Sequence, residues 1–415
     1  MRTYRELFRT PEFTPVFLTS SVQVAASVVE GLGLGTLIYL ATGSPLLSAL
    51  AMFGPSLAQL IGATTLLSAA DRLPPRAVLA GGSLVFALGT AVLAVPGLPV
   101  WAAFAIVMGL GLVASLGGGV RYGLLNEILP RDSYLLGRSV LNMSVGATQI
   151  CGFAVGGILV ATLSARGALL AGAGLYLAAA VTAWLGLSRR PPRAAGRPSV
   201  RQTWRDNARL WSSRPRRYVY LALWVPNGLI VGCESLFVPY APGHAGLLFT
   251  FAALGMLAGD TLAGRFVPGH WRERLGGPLR LLLAAPYLIF ALDPALPVAV
   301  AAITIASVGY SATLLLQQRL MALTPDDLTG HALGLHSSGM LAMQGVGAAI
   351  AGTIAEHISP AMTMAVLAAM SVTVTLLLAP GLRAGRPADG RRAGAAEPGR
   401  GPVQPAPQAA GEARS

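Results

Sequence analysis

Apolar runs of about twenty residues, parted by short polar turns, set the rhythm of the chain. A helix needs about 20 apolar residues to cross the hydrocarbon of a bilayer. Twelve runs reach that length, at about 15–40, 46–69, 77–95, 99–124, 139–162, 167–187, 218–240, 244–263, 276–293, 297–317, 331–354 and 360–381. One set of connections (ATGSP, VPGLP, TLSARGA, YAPGHA, LDPALP and EHISP) is tight and almost uncharged, and the other set is rich in arginine. The pattern predicts an all-α membrane protein with twelve transmembrane helices.

The chain also repeats itself. The stretch from Arg121 to Gly157 returns 195 residues later, with Pro130 over Pro325, Asp132 over Asp327, Gln149 over Gln344, Gly152 over Gly347 and Gly157 over Gly352. A second offset, of 204, sets Gln23 over Asn227 and Glu30 over Glu234. Two long repeats separated by a small indel predict two similar six-helix bundles about a central pseudo-two-fold axis. The expected organisation is a cytoplasmic N-terminal segment (1–14), a first bundle (15–187), a basic linker (188–217), a second bundle (218–381) and a disordered tail (382–415).

Composition narrows the class. Of 415 residues 54% are hydrophobic and only 11% charged, against about 25% charged in a typical soluble domain. All 30 basic residues are arginine, which suggests a GC-rich bacterial genome. A phosphate-binding Walker A loop needs its lysine, so ATP hydrolysis by that route is excluded. The two cysteines, Cys151 and Cys233, fall inside apolar spans and read as small buried hydrophobes. The first apolar run is too long for the core of a cleavable signal peptide.

Arginine placement predicts orientation. Arg2, Arg5 and Arg9 precede the first span, ten arginines from Arg189 to Arg217 join the halves, and six more follow from Arg383; only Arg166 falls on the opposite side. The positive-inside rule then puts both termini in the cytoplasm of a bacterial plasma membrane. The net charge of +13 is accordingly a sign of topology, and no nucleic-acid partner is expected. In the linker, Val200, Trp204, Ala208 and Trp211 share one helical face beside Arg201, Arg205 and Arg209, as in an interfacial helix meeting anionic headgroups.

Ionisable groups inside a bilayer are costly and usually face a cavity. Polar residues form stripes at helical spacing on four spans: Ser20, Gln23, Ser27 and Glu30 on the first; Asn142 and Gln149 on the fifth; Trp224, Asn227 and Glu234 on the seventh; Thr304, Ser307, Ser311 and Gln318 on the tenth. Gln344 repeats Gln149. A carboxyl surrounded by hydrocarbon is more readily neutral, so Glu30 and Glu234 are candidates to carry a coupling proton. They could equally be hydrogen-bonded acids that pin two helices, or contacts for a cationic cargo. Arg121 could bind an anionic cargo, pair with a carboxylate, or snorkel to the interface. His331 and His336 read mainly as polar residues at a helix start. The glycine runs at Gly31–Gly35 and from Gly109 lie inside spans, where they favour close helix packing over dinucleotide binding. No metal-ligand cluster, catalytic constellation or cofactor is expected.

Twelve spans in two repeated halves joined by a long basic loop resemble the major facilitator superfamily, over roughly residues 8 to 382. The loop between its second and third helices reads G-x-L-A-D-R-x-G-R-R. LSAADRLPPR matches it at Asp71, Arg72 and Arg76, while Leu67, Pro74 and Pro75 depart from it. GMLAGDTLAGR keeps Asp260, Gly264 and Arg265. The antiporter motif of helix five, G-P-x-x-G-G, appears as Gly152, Gly156 and Gly157, with Phe153 where the family has proline. An arginine common early in helix four of drug exporters is missing, and Met108 stands near its place. LLNEILPRDSYLLGRSVLN resembles the helix 4–5 connection of exporters similar to macrolide and siderophore efflux proteins. The resemblance implies a central cavity lined by helices one, four, seven and ten. It also implies a cytoplasmic gating latch at Asp71, Arg72, Arg76, Asp260 and Arg265. The expected function is secondary active transport, most simply export of small amphipathic organic compounds in exchange for protons or another coupling ion. An importer or uniporter of a small metabolite, or a sensor or lipid-handling protein of the same fold, are the alternatives.

Overall fold

The computed structural model describes residues 4–65, 73–191, 200–267 and 269–384. Among these the protein is helical, with no strand. Eleven helices are long and apolar enough to cross a membrane. They are α1 (Phe13–Thr42), α2 (Pro45–Ala63), α3 (Pro75–Leu93), α4 (Val100–Ile128), the long run Leu136–Gly186, α7 (Arg214–Tyr240), α8 (Ala245–Phe266), α9 (Leu275–Leu292), α10 (Leu296–Ala322), α11 (Thr329–Ala355) and α12 (Pro360–Arg383). The long run is two spans. Ser164 breaks it with φ 77° and ψ 166°, a conformation normally left to glycine, and divides it into α5 (136–163) and α6 (165–186). Ser164 then accepts a bond from the Gly167 amide at 3.4 Å, within the first turn of α6. The break falls in the expected TLSARGA connection, so the described residues hold twelve helices of membrane-spanning length.

The turns explain where the helices start. Prolines 45, 75, 297 and 360 sit in the first turn of α2, α3, α10 and α12, where a missing amide hydrogen leaves no bond unmade. Large apolar side chains such as Leu88, Trp101, Leu185, Leu292 and Leu377 remain exposed on the outer surface of the helices. Such a surface is a hazard in water and a match for lipid.

Each half has its own packed interior. Leu7, Phe13, Leu124, Leu125 and Leu141 centre one cluster in the first half; Ile230, Phe237, Leu248, Tyr287 and Ile303 belong to the largest cluster, in the second. The short helix Tyr4–Arg9 docks on the first half through Leu7, which is fully buried. Glu12 ties the start of α1 to the end of α6 by a two-pronged pairing with Arg190, at 3.0 and 3.1 Å.

The linker helix forms over Val200–Ser212, and it docks on protein through residues off the face expected to meet lipid headgroups, of which Ala208 and Trp211 stay exposed. Leu210 is buried against Leu328 and Ala332, and Trp211 stacks on Trp224 with ring centres 5.8 Å apart. Asp206 is buried beside His331, 3.5 Å away. A packed protein surface lies within reach of Leu210, which buries there, while Trp211 stacks on it and stays partly exposed.

The two halves meet at the face opposite the termini. Phe153 of α5 stacks on Phe249 of α8 at 4.7 Å. Glu356, just past α11, accepts hydrogen bonds from the Ser44 hydroxyl at 2.5 Å and the Leu46 amide at 3.2 Å, at the start of α2. Further along the same pair of helices, Ser56 donates to the Gln344 side-chain oxygen at 3.3 Å.

Candidate functional site

A cavity of about 640 Å³ opens inside the first half, walled by α1, α2, α3 and α4, with Tyr176 from α6. Spacings of four and three residues put Gln23, Ser27 and Glu30 on one face of α1, and all three line it. Most of the remaining wall is apolar, including Met52, Val85, Phe86, Leu110 and Leu116, with Ser56 and Gln59 as further polar groups.

The polar groups form two stations. At the first, the Tyr176 hydroxyl donates to Glu30 Oε2 at 2.8 Å. At the second, Arg121 donates from Nη2 to Gln23 Oε1 at 2.9 Å, and Gln23 donates from Nε2 to Ser83 Oγ at 2.5 Å. Glu30 and Gln23 lie seven residues apart on one helix, so the stations are separated by about 10 Å along its axis. Arg121 sits the same distance back from the end of α4 and contacts Gln23. Among the described residues it makes no ion pair. Among the described residues the cavity therefore presents one acid, one cation without an ion-pair partner and a long apolar wall.

The repeat mates of these residues are placed differently. The Tyr310 hydroxyl donates to Glu234 Oε1 at 3.0 Å. Asn227 donates to Thr313 Oγ1 at 3.1 Å, and the Trp224 indole donates to the His336 carbonyl at 3.2 Å. These bonds hold α7 to α10 and α11 within the second half, and none of the three residues lines the large cavity. Tyr310 lies in a short 3-10 turn, Gly309–Ser311, that interrupts α10. Such mid-helix turns often mark hinges.

That turn also disperses the stripe read on the tenth span. Ser307 is buried where α10 crosses Gly255 of α8. Ser311 bonds back to Val308 O at 2.8 Å. Gln318 lines a separate pocket of about 270 Å³ with Gly264 and Leu333. On α5, Asn142 is exposed and accepts from the Tyr122 hydroxyl at 3.2 Å; Gln149 is exposed, one turn from Phe153. Gln344 joins the halves through Ser56.

Of the expected latch, Asp71 and Arg72 lie outside the described residues. Arg76 stacks over Trp184 of α6 at 4.3 Å. Asp260 and Arg265 are exposed, the latter on a π-helical turn, Leu262–Phe266, that ends α8. The helix-five glycines are packing sites. Gly152 and Gly156 face Val28 and Val29 of α1, and Gly157 faces Gly246 of α8.

Tyr176, Tyr310 and Ser83 complete the two acid sites and the Arg121 station, and sequence reasoning did not find them. Tyr176 stands in an apolar run with no polar neighbour at helical spacing. The two tyrosines are not repeat mates: one comes from α6 and the other from α10, so the repeat gave no sign of them.

A two-half, twelve-helix bundle with an internal cavity bearing buried charge is the architecture of a membrane transporter. The Major Facilitator Superfamily model matches residues 16–313, and the chain belongs to that family. No curated protein sequence matches it. Solved structures similar to it include a POT family transporter in complex with 5-aminolevulinic acid (TM-score 0.71, 11% identity, 90% of this chain and 96% of that one). Another is a bacterial homologue of the human lysosomal transporter Spinster, inward-facing and unoccupied (TM-score 0.64, 14% identity, 92% and 96%). At these identities the likeness concerns the fold.

Proposed function

We infer that the chain is a proton-coupled secondary transporter that exports small amphipathic organic molecules across a bacterial plasma membrane. Its two halves would work by alternating access about the interior cavity. Glu30 carries this assignment: it is an acid on the wall of a cavity, held by the Tyr176 hydroxyl with the Thr90 side chain beside it and an otherwise mainly apolar wall around it. An acid that binds its proton better in one cavity state than in the other gives a proton gradient purchase on the equilibrium between them. The cavity volume lies in the range of small-molecule sites, about 300–1,000 Å³, and its apolar wall with few polar groups suits an amphipathic cargo. The exporter-like helix 4–5 connection supports the outward direction. The arginine distribution supports cytoplasmic termini, with the linker arginines near anionic headgroups; the Phe153–Phe249 and Ser44–Glu356 contacts would then close the outer side. The test is efflux from proteoliposomes holding fluorescent amphiphiles of each charge class under an imposed pH gradient. Gradient-dependent movement of at least one class is expected. Binding without gradient-dependent movement of any class would instead favour a sensor.

A further inference from the structure

We propose that the cargo is an organic anion, and that Arg121 is the residue that selects it. The proposal rests on the transport reading of the same cavity and names the charge of what enters it. Arg121 lies about two turns inside α4 from its end. One Nη is spent on Gln23 at 2.9 Å, and the side chain lines the cavity wall. Gln23 is itself fixed by Ser83 at 2.5 Å, so the guanidinium is held rather than free to reach the surface. No carboxylate among the described residues pairs with it. Glu30 is engaged by Tyr176 about 10 Å further along α1.

A guanidinium half-buried on a largely apolar cavity wall, with no carboxylate partner among the described residues, is unfavourable, and a ligand would bring the opposite charge. The planar fork fits a carboxylate or phosphate through two parallel hydrogen bonds. Beyond it, Val85, Phe86, Leu110 and Leu116 offer a wall for an apolar body. An organic cation entering this cavity would pass close to Arg121 in a medium that screens poorly, which disfavours the commonest charge of amphipathic drugs. Two sources share the favoured chemistry: a soluble amphipathic carboxylate and an anionic lipid headgroup.

The test uses the full-length protein in neutral detergent and three probes that differ only in their head: 4-phenylbutyrate, 4-phenylbutanol and 4-phenylbutylamine. Melting temperature is the readout, because a ligand of the folded form raises it. The carboxylate is expected to raise it in a concentration-dependent way, with a smaller effect from the alcohol and none from the amine. Arg121→Gln should weaken the carboxylate response at least tenfold in midpoint concentration, and Arg121→Lys should retain part of it. A parallel titration with phosphatidylglycerol separates the sources: a larger response to lipid, lost in Arg121→Gln, assigns the anion to a headgroup. The proposal is overturned if the carboxylate gives no response, if the amine matches it, or if Arg121→Gln responds like the wild type. The comparison of heads on the wild type stands even if a variant misfolds. Arg121-dependent binding without gradient-driven flux would sink proton coupling and leave the anion site. Gradient-driven flux of cations untouched by Arg121→Gln would do the reverse.

Discussion

Gly157 on α5 and Gly246 on α8 meet backbone to backbone: a methyl group on Gly157 would stand 2.9 Å from the Gly246 Cα. The equivalent glycine of the other half, Gly352 on α11, lies against Leu46 of α2. The first glycine of each repeat is used differently. Gly152 seats α5 on Val28 of α1, and Gly347 seats α11 on Gly228 of α7, each within its own half. One repeated pair of glycines thus performs the same two tasks twice, binding a helix to its own bundle and then to the opposite one.

If this crossing holds the far face closed, widening it should open that face. Gly157→Leu cannot be accommodated between two backbones without separating them. In a C151S background, spin labels at Leu40 and Leu247, exposed residues of opposite halves near that face, should move to a longer distance in G157L. An unchanged distance distribution would contradict the crossing's role.

Glu356 offers a milder way to test the same closure. Its carboxylate receives the Ser44 hydroxyl and the Leu46 amide at the N-terminus of α2, where a negative charge is also favoured by the helix dipole. Glu356→Ala should raise the population of the opened far face several-fold at low salt, read by the same pair of labels. Glu356→Gln, which keeps an acceptor but loses the charge, should fall between the two.

The linker helix should depend on Leu210. Truncating a fully buried leucine costs about 2–5 kcal/mol, the more so the less the gap can close. Leu210→Ala should therefore speed amide exchange across Val200–Ser212 more than tenfold, with little effect on α1 to α6. Uniform acceleration throughout both halves would contradict local docking.

Much of the architecture was legible in the sequence because crossing a bilayer imposes a length that composition cannot hide. Over the described residues the twelve apolar runs match the helices closely, and the one fusion, α5 with α6, is broken at the connection where the polar turn was read. That Gln23, Ser27 and Glu30 share one cavity-lining face was legible because a charge in hydrocarbon stands out and helical spacing aligns it. The tenth-span stripe did not hold together because it assumed an unbroken α-helix. The 3-10 turn at Gly309–Ser311 changes the register between Ser307 and Gln318, and no proline marks it. The seventh-span stripe is real as a face, but Trp224, Asn227 and Glu234 spend their polar atoms on α10 and α11. Spacing reveals which residues share a face and is silent about which neighbour satisfies them. Tyr176 and Tyr310 were missed for the same reason, since a tyrosine in an apolar run looks like core until its hydroxyl is seen to reach a carboxylate.

The central claim is that Glu30 carries the transported proton. The most direct measurement is cargo-dependent proton movement in proteoliposomes loaded with a pH-sensitive dye, using a compound that stabilises the wild type, followed in parallel with exchange of the labelled compound at equal pH. Wild-type protein should show both. Glu30→Gln should lose proton movement at least tenfold while continuing to exchange cargo, because the amide fills the same space beside Tyr176 and cannot take up or release a proton in this range. Proton movement in Glu30→Gln equal to that of the wild type would contradict the account.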